Sequence, residues 1–226
     1  MARRTPVVDE PTPDRLSFER TFWAAHPEAR LAGVDEAGRG CLAGPVVAGA
    51  VEIDAADLEE LARTDLAAAN DSKQLTEKQR ERLWEVITHH PKIRYGVGIG
   101  TVEEIDAINI LNATHVAMRR ALEALPQLPN HAFVDGLPVK GLPIEHQAIV
   151  KGDARSLLIA CASIVAKVTR DHLCLELDQR FPHYGFAKHK AYGTKAHLAA
   201  LHQYGPCSEH RRSFAPVAVF QDEFNF

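Results

Sequence analysis

Apolar residues alternate with glycine or polar ones in several short stretches of this chain and recur at helical spacing in others, so strands and helices are predicted in turn. Residues 31–37 and 46–53 are short apolar runs separated by Gly38, Gly40, Gly44 and Pro45, which predicts two strands of a hairpin joined by a tight turn. Thr76 is placed to cap a helix through Ile87, with Leu83, Trp84 and Ile87 on one face. Residues 93–102 read as a strand. Residues 103–125 read as a helix whose apolar face runs through Ile105, Ile108, Leu111, His115, Met118 and Leu122 until Pro126 stops it. Residues 132–135 and 144–150 are again strand-like. Asp153 is placed to cap a long helix to about Arg180, with Leu157, Cys161, Ile164, Val165, Val168 and Leu175 as its buried stripe. Beyond Pro182, residues 183–194 read as a loop with glycines and aromatics and 195–204 as a short helix. Hairpin strands followed by strand and helix alternation predict an α/β domain with a mixed sheet. The expected organisation is a flexible tail over 1–15, the main domain over 16–180, a small helix and loop extension over 181–215, and a tail over 216–226.

A chain of 226 residues that is 46% hydrophobic has the material for a sizeable core. Its 26 basic and 30 acidic residues leave a net charge of -4, which as a bulk figure argues against a nucleic-acid partner. The distribution argues the other way, because residues 181–215 hold Lys188, Lys190, Lys195, Arg211 and Arg212 against Glu209 alone. Cys41, Cys161, Cys174 and Cys207 show no Cys-x-x-Cys spacing, so reduced thiols in a cytoplasmic protein are expected and a zinc site is not. The N-terminal stretch has no apolar run suited to a signal peptide. The apolar runs over 42–51 and 157–166 fall short of the ~20 residues that span a bilayer, so no membrane segment is expected.

Acidic residues sit where apolar runs end. Asp35 and Glu36 close the first strand, Asp135 closes Ala132-Phe133-Val134, and Asp153 follows the run through Val150. Ionised groups in such places are costly unless cations or hydrogen bonds compensate. Carboxylates converging from strand ends, with no Cys and no obligatory His, suit a hard cation such as Mg2+ or Mn2+. Two such ions can activate water and stabilise the leaving oxygen in phosphodiester cleavage. Each acid also has a plainer reading: Asp153 as a helix cap, Asp135 before Gly136 as a turn residue. Adjacent Asp35 and Glu36 reach one site only if the strand ends or bulges there, which the following glycines permit. Gly38-Arg39-Gly40 offers closely approachable backbone beside a guanidinium that can grip phosphate. Residues 71–73, the Lys167 and Arg170 pair, and residues 186–195 add cations and aromatics suited to phosphates and sugars, although any one of them is more often a solvated face. Together they favour a metal-dependent nucleic-acid enzyme. Another two-metal nuclease, such as a junction resolvase, and a metal-independent hybrid-binding module are the alternatives.

The run from Asp35 through Gly40 to Leu42-Ala43-Gly44-Pro45-Val46-Val47 resembles the opening of bacterial ribonucleases HII. The likeness continues through residues 70–75, 105–110, 134–136, 151–153, 162–171 and 192–194, spanning about 29 to 215. It implies a ribonuclease H-like fold, a mixed central sheet flanked by helices, with a small helical C-terminal extension that binds substrate. It implies an endoribonuclease that cuts RNA/DNA hybrids and duplex DNA containing ribonucleotides, on their 5′ side, leaving 3′-hydroxyl and 5′-phosphate ends. Asp35, Glu36, Asp135 and Asp153 would then be catalytic ligands of two divalent cations, Mg2+ or Mn2+, with Asp35 bridging them. Gly38, Arg39, Gly40, Lys73, Asn109, Ser163, Lys167, Arg170 and Tyr192 would contact substrate: the Gly38 to Gly40 main chain at the 2′-hydroxyl, Tyr192 against the deoxyribose on the 3′ side. Tyr184 competes with Tyr192 for that place. Two positions depart from the family pattern, Cys41 where proline is expected and Ala191 where glycine is. A monomer is expected, with a sliding-clamp contact through the C-terminal tail, where Phe220, Phe224 and Phe226 stand among polar residues.

Overall fold

Five strands form one mixed sheet in the computed structural model, which describes residues 14–69 and 75–220. They are β1 (Leu31–Ala37), β2 (Val46–Ile53), β3 (Ile93–Gly100), β4 (His131–Asp135) and β5 (Glu145–Ile149), in the spatial order β3-β2-β1-β4-β5. β1, β2 and β3 pair antiparallel; β4 joins β1 in parallel, Val34 opposite Val134, and β5 continues parallel to β4. The helices are α1 (Ser17–Ala25), α2 (Ala55–Arg63), α3 (Glu77–His89), α4 (Val102–Glu123), α5 (Leu157–Arg180), α6 (Phe186–His189), α7 (Lys195–Tyr204) and α8 (Ala215–Ala218).

Alternation along the strands divides the core in two. Ala32, Val34, Ala48, Ala50, Ala132 and Val134 pack on Ile105, Ala117, Met118 and Leu122 of α4. Leu31, Val51, Ile53, Phe133 and Ile149 face the other way, onto α5 with α1, α2 and α3 around it. α5 lies almost on the sheet: a Cβ at Gly33 would stand 2.2 Å from the Leu158 carbonyl carbon, so only glycine permits this approach.

The strand boundaries lie within a residue of the sequence pattern except that β3 ends at Gly100, where Thr101 caps α4, and the Thr76 cap is a full capping box with Gln79. Five expectations need correction. The hairpin turn is not tight: residues 38–45 form a loop that bonds to the C-terminal segment, Leu42 N–H to the Ala191 carbonyl (2.9 Å), Arg211 N–H to the Leu42 carbonyl (2.9 Å) and Gly44 N–H to the Glu209 carbonyl (2.8 Å). Asp153 does not cap α5. It lies in a short 3-10 turn at Gly152–Ala154, and Ser156 caps the helix by accepting from Ile159 N–H. α4 contains a break at Asn109 (φ 67°, ψ 163°), which resets the helical phase. Ile108 and Leu111 are therefore 40% and 49% exposed, while Ala113, Ala117 and Ala121 take the buried face. Leu175 likewise lies outside the buried stripe of α5, 43% exposed. α1 and α2 had no clear sequence signal. At the C-terminus, α8 and Phe220 pack on Leu42 and Leu201, so the start of the expected tail is part of the core. No helix among the described residues is long and apolar enough to cross a membrane.

Candidate functional site

The parallel pairing of β1 with β4 brings Asp35 and Asp135 side by side, each one residue beyond the Val34–Val134 pair and on the face covered by α5. Asp35 is buried and accepts from the Glu36 N–H at 2.7 Å and from the Ser163 hydroxyl of α5. Burial pushes its carboxyl well above the usual range, and the charges of Glu36 and Asp135 push it further. Glu36 points the other way, where its Oε1 accepts from the Arg39 guanidinium at 3.1 Å. Asp135 Oδ1 accepts the Gly152 N–H at 2.6 Å, tying β4 to the turn that carries buried Asp153.

Among the described residues, no group of three His, Cys, Asp or Glu side chains is arranged to hold a metal ion as it stands. Protein donors occupy the oxygens instead: the Gly152 amide on Asp135, the Arg39 guanidinium on Glu36. The chemistry nevertheless fits divalent cations. The donors are all carboxylate oxygens, and Asp35 is a buried acid whose ionised form the protein itself disfavours, which is the situation a hard cation relieves.

Beside these acids lies a cavity of ≈ 210 Å³ lined by Asp35, Glu36, Ala37, Gly38, Arg39, Gly40, Ser163, Lys167 and Tyr192. Eight of the thirteen residues singled out from sequence thus border one space. Lys167 is ion-paired with Asp171 one turn along α5. Tyr192 is 45% exposed; its phenol hydrogen-bonds the Cys41 sulfur, and its backbone bridges Cys41. Tyr184, the competitor, is buried, stacked on Phe186, and donates its hydroxyl to the Gly205 carbonyl at 2.6 Å.

Three expected contacts fall elsewhere. Lys73 lies outside the described residues. Asn109 stands at the break in α4, where its Oδ1 accepts from the Asn112 N–H at 3.1 Å as a cap for the second segment. Arg170 is the clearest correction, since its guanidinium is 1% exposed and donates to the Pro45 (3.1 Å), Lys190 (2.9 Å) and Ala43 (3.2 Å) carbonyls. It shapes the loop rather than meeting a phosphate.

Arg211, which sequence reading counted among the basic residues of the 181–215 segment, does the same from the other side. It is fully buried and donates to the Arg39 carbonyl (3.0 Å) and the Gly44 carbonyl (2.9 Å). Burial, with the nearby Arg170 charge, lowers its pKa to about 10. Gly38 (φ 95°) closes this arrangement, because a Cβ there would fall 2.0 Å from Arg170 Nε.

Comparison with known proteins places this geometry among related ones. The Ribonuclease HII family model matches residues 32–217. A Ribonuclease HII of Burkholderia pseudomallei (strain 668) is 52% identical over 84% of this chain and 86% of its own. The crystal structure of the ribonuclease H2 from Pyrococcus horikoshii OT3 superposes with a TM-score of 0.71 at 31% identity, covering 86% of this chain and 98% of that one. The Archaeoglobus fulgidus protein in a PCNA:RNase HII complex is similar at a TM-score of 0.64 and 26% identity, covering 82% and 95%.

Proposed function

The chain belongs to the ribonuclease HII family, with a ribonuclease H-like fold and nuclease activity, and from that premise we propose that it cuts RNA/DNA hybrids and the 5′ side of ribonucleotides embedded in duplex DNA. The products would carry 3′-hydroxyl and 5′-phosphate ends. One observation carries the reading: Asp35 and Glu36 at the end of β1 open onto the same cavity as Gly38-Arg39-Gly40 and Tyr192, with Asp135 of β4 beside Asp35.

In this reading Asp35, Glu36, Asp135 and Asp153 would hold two divalent cations, Mg2+ or Mn2+. Such ions, when bound, activate water and stabilise the leaving oxygen. The protein's own groups do the rest. Ser163 fixes the Asp35 carboxylate through its hydroxyl. The Gly38 carbonyl accepts from the Cys41 N–H (3.4 Å) and the Arg39 carbonyl from Arg211, which fixes the loop whose main chain would meet the 2′-hydroxyl. Lys167 presents its charge to the scissile-strand phosphates at the cavity wall. The Tyr192 ring stacks on the deoxyribose that follows the ribonucleotide. The enzyme works as a cytoplasmic monomer, its main domain over 16–180 supplying the acids and residues 181–215 holding the duplex. The likeness to the protein of the PCNA:RNase HII complex supports a sliding-clamp contact through the tail. Phe220 is packed into the core, and Phe224 and Phe226, outside the described residues, would make that contact.

The test uses matched duplexes with and without one ribonucleotide. With Mg2+ or Mn2+ only the first should be cut, and Asp35→Asn should reduce cleavage to background. Cutting of the all-DNA duplex, or full activity of Asp35→Asn or in EDTA, would sink the proposal.

A further inference from the structure

A buried chain of hydrogen bonds holds the segment that carries Tyr192. The Cys207 N–H donates to His210 Nδ1 at 3.0 Å, His210 Nε2 meets His197 Nε2 at 3.1 Å, and His197 Nδ1 meets the Tyr192 carbonyl at 3.0 Å. Only one distribution of protons on two neutral rings satisfies all three contacts. A carbonyl only accepts, so His197 Nδ1 carries the hydrogen and its Nε2 is the acceptor. An amide N–H only donates, so His210 Nδ1 is the acceptor and its Nε2 carries the hydrogen. A further proton has no place: on His197 Nε2 it would face the His210 N–H, and on His210 Nδ1 it would face the Cys207 amide.

The surroundings offer such a proton no counter-charge. The two rings are 0% and 1% exposed. His189 stacks on His197 with centroids 4.6 Å apart, and its own Nε2 contacts the Tyr184 carbonyl. Tyr184 and Phe186 lie against His210 at 4.8 and 5.7 Å, and the Cys207 thiol, its pKa raised by burial, sits 3.1 Å from Nδ1. The nearby carboxylate of Glu209 is paired with Arg180 at 2.9 Å. Burial, then His197 and Arg212, lowers His210 to about 4; burial, then His189, lowers His197. The hold is needed because Lys190 and Ala191, just before Tyr192, are both left-handed (φ 50° and 63°), a conformation side chains resist.

We propose that the neutral His197–His210 pair is the positioning device for Tyr192, fixing the backbone from which its ring reaches the cavity and releasing it in acid. This rests on the reading of Tyr192 as the ring that senses the 3′ deoxyribose. The sign follows from linkage: between the ordinary histidine value of 6.5 and about 4, the released segment takes up protons that the held one excludes, so the hold weakens as pH falls.

Nitrogen-15 spectra of the histidine rings in the full chain test the pair directly. At about pH 6 both rings should be neutral, with hydrogen on Nδ1 of His197 and on Nε2 of His210; a charged ring or the opposite tautomers would overturn the proposal. Kinetics test the positioning, by comparing cleavage of a duplex bearing one ribonucleotide with cleavage of a continuous RNA/DNA hybrid. Tyr192→Ala and His197→Leu should lower the single-ribonucleotide preference by a similar factor, about tenfold. His197→Asn keeps a donor toward the Tyr192 carbonyl but does not titrate, so it should retain the preference and hold it to lower pH than the wild type. If Tyr192→Ala lowers the preference and folded His197→Leu does not, the pair does not position Tyr192. An identical acid loss in the wild type and His197→Asn overturns the proposal even where His197→Leu fails to fold. If Tyr192→Ala changes nothing, the reading of Tyr192 has failed instead, and the ring spectra decide whether the pair holds its backbone.

Discussion

A guanidinium that grips a phosphate and one that grips its own backbone are the same residue in a sequence. Arg170 and Arg211 are of the second kind, and only burial reveals it: together they hold the carbonyls of Arg39, Ala43, Gly44, Pro45 and Lys190. Arg170→Lys tests this. An ammonium cannot span the three carbonyls that Arg170 serves, so buried acceptors lose their donors and folding stability should fall by about 3 kcal/mol, read from urea unfolding. Cleavage should fall with it because the Gly38 to Gly40 loop loses its frame. The salt dependence of duplex binding should stay as in the wild type; a slope smaller by about one unit would mean that Arg170 touches a phosphate after all. Asp35 and Glu36, by contrast, could be read from sequence as candidate site residues, because an acidic pair at the end of an apolar strand has few plain explanations. Cys41 and Ala191, the two positions where other residues were expected, are both buried, and the Cys41 thiol is taken up by the Tyr192 phenol.

At the scale of elements, periodicity located every strand among the described residues and the helices α3, α4, α5 and α7. It failed where a side chain distant in sequence sets local structure. The start of α5 shows why. Glu19 of α1 is fully buried and accepts from the Ser156 hydroxyl at 2.7 Å and the Leu158 N–H at 3.2 Å, so a residue from α1 completes the cap that Asp153 was expected to supply. Neither partner is visible from the other's sequence neighbourhood. Glu19→Ala should therefore cost about 2–3 kcal/mol by orphaning two buried donors. Burial raises the Glu19 pKa above its ordinary 4.5, so the native state holds this proton more tightly than the unfolded chain. Its stabilising contribution is full below that ordinary value and is lost as pH rises through the folded one. Both bonds end on Oε1, while Oε2 is buried without a partner, so Glu19→Gln can keep the bonds without the charge. Glu19→Gln should gain on the wild type between about pH 4.5 and neutrality, measured as the difference between urea midpoints; a gain toward acid instead would refute the account.

Across the whole molecule, the site is assembled from parts that sequence order separates: β1, β4, the turn before α5, α5 itself, and the loop around Tyr192. Motifs announce such parts one by one. Their convergence follows from the parallel β1–β4 pairing and from the close seat of α5 on Gly33, neither of which local patterns encode. The fold thereby forces acids together at a place that burial makes costly for them, and stability is opposed to function there. Asp35→Asn keeps an oxygen to accept from the Glu36 amide and Ser163 while removing one of the repelling charges. In EDTA the variant should be more stable than the wild type by about 1–2 kcal/mol, or about 2–4 °C in Tm per kcal/mol for a chain of this size. Adding Mn2+ or Mg2+ should reverse the order. Ions at about a hundred times their dissociation constant stabilise the wild type by about 2.7 kcal/mol, and the variant, with a weakened donor set, should gain far less. Calorimetric melts with and without the ion read both effects. A variant no more stable than the wild type in EDTA would show that the acids do not strain the fold. An equal gain from the ion would show that Asp35 is not among its ligands.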